Sequence, residues 1–282
     1  MKTDFKAYKE YLDERVKCHP HINEMIDFYK GLIDIWGNAQ PDNLSALFSA
    51  ERLSKGLYML DEEKIEDVDF TNSAETARRI FRLLEQQKKG ETTAVDGLSG
   101  GDITDFIKDG LYKEDRFNNA VLKWILKPSF NAMKETLHSL FEKGGSGRIW
   151  NAGRCPVCYS LPGMALVDAM TLGTELNSVP KEQRFLSCCF CGYLWLFDRV
   201  ACPACGDNRP EKHGFFVGEA GCEQGTRAIS CEGCKTYVKT VFIGCRDDGK
   251  GVMDLDMDIE DVATLPLDIV ANQRGYRALC QS

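Results

Sequence analysis

No apolar run in this 282-residue sequence approaches the roughly 20 residues that a bilayer crossing needs, and the longest, such as TYVKTVFIGC, stop far short. Membrane insertion is not expected. A basic excess is missing too: 35 Lys and Arg stand against 43 Asp and Glu, a net charge of −8. The deficit is even, with 13 basic against 17 acidic residues from position 151 onward and 22 against 26 before it. A nucleic-acid reader needs a basic face to displace counterions from phosphate, and neither half offers one. The opening MKTDFKAYKEYLDERVK has no apolar core and no small-residue cleavage site, so no signal peptide is read there and a cytoplasmic protein is expected. Paired carboxylates at motif spacing, a nucleophile motif and a phosphate loop are all missing, which argues against an enzyme.

Cysteine, by contrast, is plentiful. Thirteen cysteines in a reducing compartment do not make a disulfide framework, and their arrangement in pairs points to thiolate metal ligation. They concentrate after position 150. Residues 1–147 read instead as a helical domain. In TNSAETARRIFRLLEQQKKG, Ala77, Ile80, Phe81 and Leu84 share one helical face, Asn72 and Glu75 make a capping pair, and Gly90 is a stop. SFNAMKETLHSLFEKG repeats the pattern with Phe130, Met133, Leu137, Leu140 and Phe141. Pro128 is expected to separate it from an earlier helix carrying Phe117, Val121, Trp124 and Ile125. EMIDFYKGLIDIW and LSALFSAERLSKGLYML are read as further helices of the same bundle.

After the GGSG run at 144–147 the period changes. Short β-prone runs, RFLSC, YLWLF, RAISC and YVKTVFIG, alternate with four CxxC pairs: Cys155/Cys158, Cys188/Cys191, Cys202/Cys205 and Cys231/Cys234. A CxxC loop aims two sulfurs at one point, and two such loops close a tetrahedral S4 site. Ten residues separate Cys191 from Cys202, a spacing that could itself close a finger. An internal repeat argues for a different pairing. CPVCYS at 155 recurs as CPACGD at 202, and RFLSCCFC at 184 recurs as RAISCEGC at 227, so each half is a complete unit with 29 or 25 residues between its two loops. Cys155, Cys158, Cys188 and Cys191 are therefore assigned to one metal, and Cys202, Cys205, Cys231 and Cys234 to a second. The donor set accepts iron or zinc.

The remaining thiols and donors carry less. Cys189 points away from the ligands in any such loop, Cys222 and His213 are weak ligand candidates, CHPH at 18–21 reads as a surface turn, and Cys18, Cys245 and Cys280 as ordinary thiols. Asp254, Asp256 and Asp258 mimic the start of a calcium loop, but Ile259 and Leu265 stand where Gly and Glu belong. A strand with one acidic face is the expected reading. VATLPLDIVANQRGY then forms a last helix, with Pro266 tolerated in its first turn.

The order CPVC, RFLSCCFCGYLW, RVACPACG, SCEGCKTYVK and EDVATLPLDIVANQRGY resembles the formate dehydrogenase accessory protein family, FdhE, over roughly residues 150–277. The resemblance implies an α+β protein: a helical domain (1–147), two tandem rubredoxin-like or zinc-ribbon modules (148–200 and 201–249), and a C-terminal strand and helix (250–282). It also implies a cytoplasmic maturation factor that binds the molybdenum- or tungsten-pterin catalytic subunit of formate dehydrogenase before export, with two tetrathiolate metal ions. A rubredoxin-like iron redox carrier and a nucleic-acid-associated zinc ribbon are the alternatives. Tyr159 in place of the usual Gly after the first loop, the extra Cys189, and Pro266 in a usually apolar run are departures from the family pattern; none removes a ligand.

Overall fold

The computed structural model describes residues 5–87, 100–112, 120–145, 150–172, 179–218, 225–245 and 255–280. The architecture is α+β. The N-terminal part consists of α1 (Phe5–Cys18), α2 (Asn23–Gly37), α3 (Ala50–Ser54), α4 (Thr71–Gln87), α5 (Gly100–Tyr112), α6 (Ala120–Ala132) and α7 (Lys134–Gly144). Its core takes Ile26, Leu32, Ile33 and Trp36 from α2, Ala77 and Ile80 from α4, Ile103, Ile107 and Leu111 from α5, Leu122, Ile125, Leu126 and Phe130 from α6, and Leu137 from α7. These are the apolar stripes of the sequence, buried because a helix stripe has nowhere else to leave water.

Local expectations fare less evenly. The free amides at the start of α4 are satisfied by Asp69, which accepts from Thr71 N, and by the buried Asp42, which accepts from Asn72 N and Ser73 N. Glu75 pairs with Arg78 and Arg79 instead of capping. Gly90 and Phe117 lie outside the described residues. LSALFSAERLSKGLYML is not one helix: it breaks into a 3-10 turn, the five-residue α3, a turn at Gly56 with φ 81°, and a bridge between Phe48 and Leu60. Tertiary hydrogen bonds to Met59 and Leu60, described below, outweigh its helical propensity.

Pro128 lies inside α6 instead of ending it, and the break comes at Met133. A proline there leaves the carbonyl four residues earlier without its helical donor. That carbonyl belongs to Trp124, and the indole Nε1 of Trp36 donates to it at 2.9 Å.

The strands are β1 (Pro162–Leu172), β2 (Val179–Cys188), β3 (Leu194–Phe197), β4 (His213–Phe216), β5 (Thr226–Cys231), β6 (Thr236–Phe242) and β7 (Arg277–Ala278). Each repeat unit forms an antiparallel meander, and the two meanders join in one sheet of order β3-β2-β1-β6-β5-β4. The joint is parallel, Met164 to Val167 of β1 against Lys239 to Phe242 of β6, while β7 pairs with β6 at Thr236 and Tyr237. Equivalent strands are thus repeated by translation across the sheet, a head-to-tail joint.

The C-terminal segment covers one sheet face. MDIED is the start of α8 (Met257–Ala263), and α9 (Leu265–Gln273) follows with Pro266 in its first turn. The acidic strand expected over 254–258 is therefore corrected. Asp256 caps α8 through Asp258 N and Ile259 N, and Lys127 reaches Asp256 at 2.8 Å and Lys123 reaches Asp258 at 2.6 Å. Asp254 is outside the described residues. From β6, the buried Lys239 holds Asp261 and Asp268, each at 2.7 Å, and Tyr237 donates to Asp268.

Candidate metal centres

All four CxxC pairs lie in the same backbone turn. The amide after the second cysteine returns to the carbonyl of the first: Tyr159 to Cys155 at 2.9 Å, Gly192 to Cys188 at 3.2 Å, Gly206 to Cys202 at 2.8 Å, and Lys235 to Cys231 at 2.9 Å. Closing the turn drives that residue into the left-handed region, with φ 64° at Tyr159, 70° at Gly192, 75° at Gly206 and 55° at Lys235. In the first three loops the amide of the leading cysteine also donates to the carbonyl of Ser160, Tyr193 or Asp207. Two cysteines flanking so tight a turn point their sulfurs the same way.

The structure gathers Cys155, Cys158, Cys188 and Cys191 in one group and Cys202, Cys205, Cys231 and Cys234 in another, the sulfurs of each lying within 4.8 Å of one another. Cys188, Cys191, Cys202 and Cys205 are not brought together. In the first group Cys155 to Cys191 is 3.7 Å, Cys158 to Cys188 3.5 Å and Cys158 to Cys191 3.7 Å. In the second, Cys202 to Cys234 is 3.6 Å and Cys205 to Cys231 3.8 Å. Thiolates about 2.3 Å from a central ion stand about 3.8 Å apart at the corners of a tetrahedron, whereas a disulfide needs about 2.05 Å. Each group can therefore hold a metal ion. With four sulfurs in place, a tetrahedral ion keeps no position for water or substrate.

Electrostatics and burial distinguish the groups. Burial opposes the charge of Cys158, but its hydrogen bonding with Cys155, Cys188, Cys191 and Ser160 outweighs it and holds that thiol well below its ordinary range. Burial and the neighbouring sulfurs push Cys155 and Cys191 well above it. In the second group burial pushes Cys202 up to about 12, while Cys234, despite burial, is lowered by the hydroxyl and amide of Thr236. A cation at either centre favours the thiolate at every position. The first group is sealed, with all four cysteines at most 3% exposed, whereas Cys205 of the second lies at the surface.

The sealing comes from the helical part. Met59 N donates to Pro156 O at 2.9 Å and Leu60 N to Val157 O at 2.8 Å, so the irregular stretch after α3 docks on the first loop. Phe190 in the second loop meets Phe130 edge-on at 5.5 Å, Tyr193 tilts against Phe141 at 5.9 Å, and Tyr159 stacks on Tyr58 at 5.3 Å. Gly153 runs against the third loop, where an added Cβ would fall 1.9 Å from Pro203 O.

Of the weaker candidates, Cys189 is buried and hydrogen-bonded to Cys280 beside a small cavity lined also by Lys123 and Gly163. His213 directs Nε2 to Asp207 O at 3.0 Å and stands outside both four-sulfur groups. His19 is buried, and Cys18, expected as an ordinary thiol, is disulfide-bonded. Cys222 lies outside the described residues. Four basic residues escaped the sequence reading: Lys123, Lys127, Arg184 and Lys239, all buried. For the three lysines the signal was a cation set inside an apolar run, as in VLKWILK and TYVKTVF.

No family model matches the chain. It is similar to a Protein FdhE homolog of Aquifex aeolicus (strain VF5), 31% identical over 127 residues, which is 45% of this chain and 40% of that protein. A Protein FdhE homolog of Shewanella baltica (strain OS185) is 24% identical over 274 residues, 96% of this chain and 79% of that protein. The chain thus matches well under half the length of the first relative and about four fifths of the second. The crystal structure of the FdhE protein from Pseudomonas aeruginosa superposes with a TM-score of 0.66 at 17% identity, covering 100% of this chain and 95% of that one. The family resemblance read from the cysteine loops is borne out by these relatives, and the fold by the superposition. Among the described residues, no helix is long and apolar enough to cross a membrane.

Proposed function

We propose, taking homology to the FdhE proteins as the premise, that this chain is a cytoplasmic accessory protein that binds the molybdenum- or tungsten-pterin catalytic subunit of formate dehydrogenase and is needed to make it active before export. The observation that carries the reading is the match to an FdhE homolog across 96% of the chain, helical part included. A protein that needed only its metal centres would have no use for so large a helical surface locked onto one of them. Cys155, Cys158, Cys188 and Cys191 would hold one iron or zinc ion, and Cys202, Cys205, Cys231 and Cys234 the other. The chemistry such ions supply is structural, a cross-link that fixes loops too short to fold alone. The chain's own residues do the rest: Pro156 and Val157 accept from Met59 and Leu60 and join the first loop to the helical part, and an ion at the first centre would hold that joint in place. Work of this kind is binding without turnover. Affinity isolation of the tagged protein should recover the catalytic subunit, and deletion of its gene should leave that subunit synthesised but inactive. Absence of the subunit from the isolate together with unchanged formate dehydrogenase activity would overturn the reading.

A one-electron carrier is the second reading, and the exposure of Cys205 is what favours it. It requires iron at the second centre and a visible band that bleaches and returns on reduction and reoxidation.

A further inference from the structure

Where the two repeat units meet, a cavity of about 160 Å³ opens on the sheet face opposite α8 and α9. About 10–15 Å³ suffices for one water, so this space admits a group of several non-hydrogen atoms. Arg184, Arg199 and His213 line it together with Val167, Ile229 and Phe242. Arg184 is the unusual member, a guanidinium only 5% exposed. It donates one hydrogen bond, from Nη1 to Ala201 O at 2.9 Å, and lies 5.9 Å over the ring of Phe197. Among the described residues no carboxylate pairs with it. The nearby Asp198 carboxylate accepts instead from Val200 N and Ala201 N. Burial and the repulsion of Arg199 pull the Arg184 guanidinium down to about 10, against the weaker attraction of Cys202 and Asp198. A buried cation is costly unless it is hydrogen-bonded, and with Nη1 given to Ala201 O the rest of the guanidinium fork can serve an anion in the cavity.

The repeat sharpens the contrast. Arg227 occupies the equivalent position in the second unit, but its guanidinium lies between Phe215 and Phe242, at 5.2 and 4.9 Å, and is half-buried at the surface. Among the described residues, the Arg184 copy lines the cavity and is overlaid by the segment that joins the units, where Ala201 O accepts from it.

We propose that this cavity is a carboxylate-binding site, with Arg184 as the buried anchor and Arg199 at the mouth. The planar fork of a guanidinium matches the two oxygens of a carboxylate. The walls favour that anion over a tetrahedral dianion: Val167, Ile229 and Phe242 suit an aliphatic stem, and the Thr240 hydroxyl is already turned to Val238 O at 3.3 Å, so few donors remain. Arg199 shares its charge with Glu182 at 2.7 Å and can swing between that partner and the ligand. The carboxylate can belong to a free short-chain acid or to an acidic side chain or C-terminus of a bound polypeptide. The site stands independently of the proposed function.

The metal-loaded full chain is titrated with butyrate, with inorganic phosphate, and with a short peptide ending in leucine as free acid or as amide. Binding is followed by calorimetry and by the rise in thermal midpoint that any ligand of the folded state produces. Saturable butyrate binding that Arg184→Met weakens about tenfold or more, and Arg199→Met by less, supports a site for free acids. Binding of the peptide acid but not its amide or butyrate, with the same dependence on Arg184, supports a polypeptide carboxylate. Arg184→Met removes the donor to Ala201 O and can lower the unliganded midpoint, so each variant's ligand-induced rise is measured from its own unliganded value. Equal butyrate binding in wild type and both variants, phosphate binding tighter than either carboxylate, or no saturable binding by any of these would overturn the proposal.

Discussion

At the residue after each CxxC pair the backbone is left-handed in all four loops, yet only Gly192 and Gly206 are glycines. A side chain there costs about 1–2 kcal/mol, and the two exceptions differ in what offsets it. Tyr159 gains a stacked ring, Tyr58, from the helical part, and the Arg154 guanidinium lies over the Tyr159 ring at 5.1 Å. Lys235 gains only a surface ion pair with Glu232 and a contact over Tyr276, and exposed pairs of that kind contribute little. Lys235→Gly should therefore stabilise the second centre by about 1 kcal/mol, read as a higher denaturant midpoint for metal release; an unchanged or lower midpoint would show that the loop is not strained there. Cys188→Ser should lose one metal per chain, while Cys189→Ser, which removes a thiol turned toward Cys280, should retain both by elemental analysis.

Between elements, the joints are made by single polar groups in apolar surroundings. Trp36 completes α6 where Pro128 cannot, by donating to Trp124 O. Trp36→Phe should cost about 1–3 kcal/mol, and Pro128→Ala should recover part of that loss in the Trp36→Phe background, because a restored amide can serve the same carbonyl. Additive effects in urea unfolding would disprove the substitution of one donor for another. The α6 to α8 joint rests on Lys123, Lys127, Asp256 and Asp258. Burial opposes the charge of Asp258, but the two lysines outweigh it and lower its carboxyl below the ordinary range. The stability it contributes is thus complete above a pH of about 4 and drains away as pH falls through the lowered folded-state value. Asp258→Asn should cost about 3–5 kcal/mol at neutral pH. The gap between variant and wild type should narrow only below about pH 4, a difference in which acid effects on the thiolates cancel.

Over the whole molecule the two centres occupy unlike surroundings despite like sequences. A chelator should take the second metal first, through exposed Cys205, and reach the first only when the helical part loosens. Stepwise chelation followed by hydrogen exchange should show Met59 and Leu60 amides protected after the first ion leaves and exposed after the second; simultaneous loss would mean the centres are coupled through the sheet. The repeat, the four loops and the grouping of eight cysteines were legible in the residues, because a tight turn between two sulfurs is a local property and its recurrence declares a unit. Most helices were legible for the same reason, since period 3.6 is local. The continuation of α6 through Pro128 was not, because the compensating donor lies 88 positions away. The acidic stretch was misread as a strand because alternation of charge and apolarity suits a strand until the lysines of α6 claim Asp256 and Asp258. Sequence alone thus determined which sulfurs could share an ion. Only the tertiary structure decided that one centre would be sealed and the other open, and that two meanders would join through β1 and β6 around a buried arginine, because burial is a property of what the rest of the chain lays over a site.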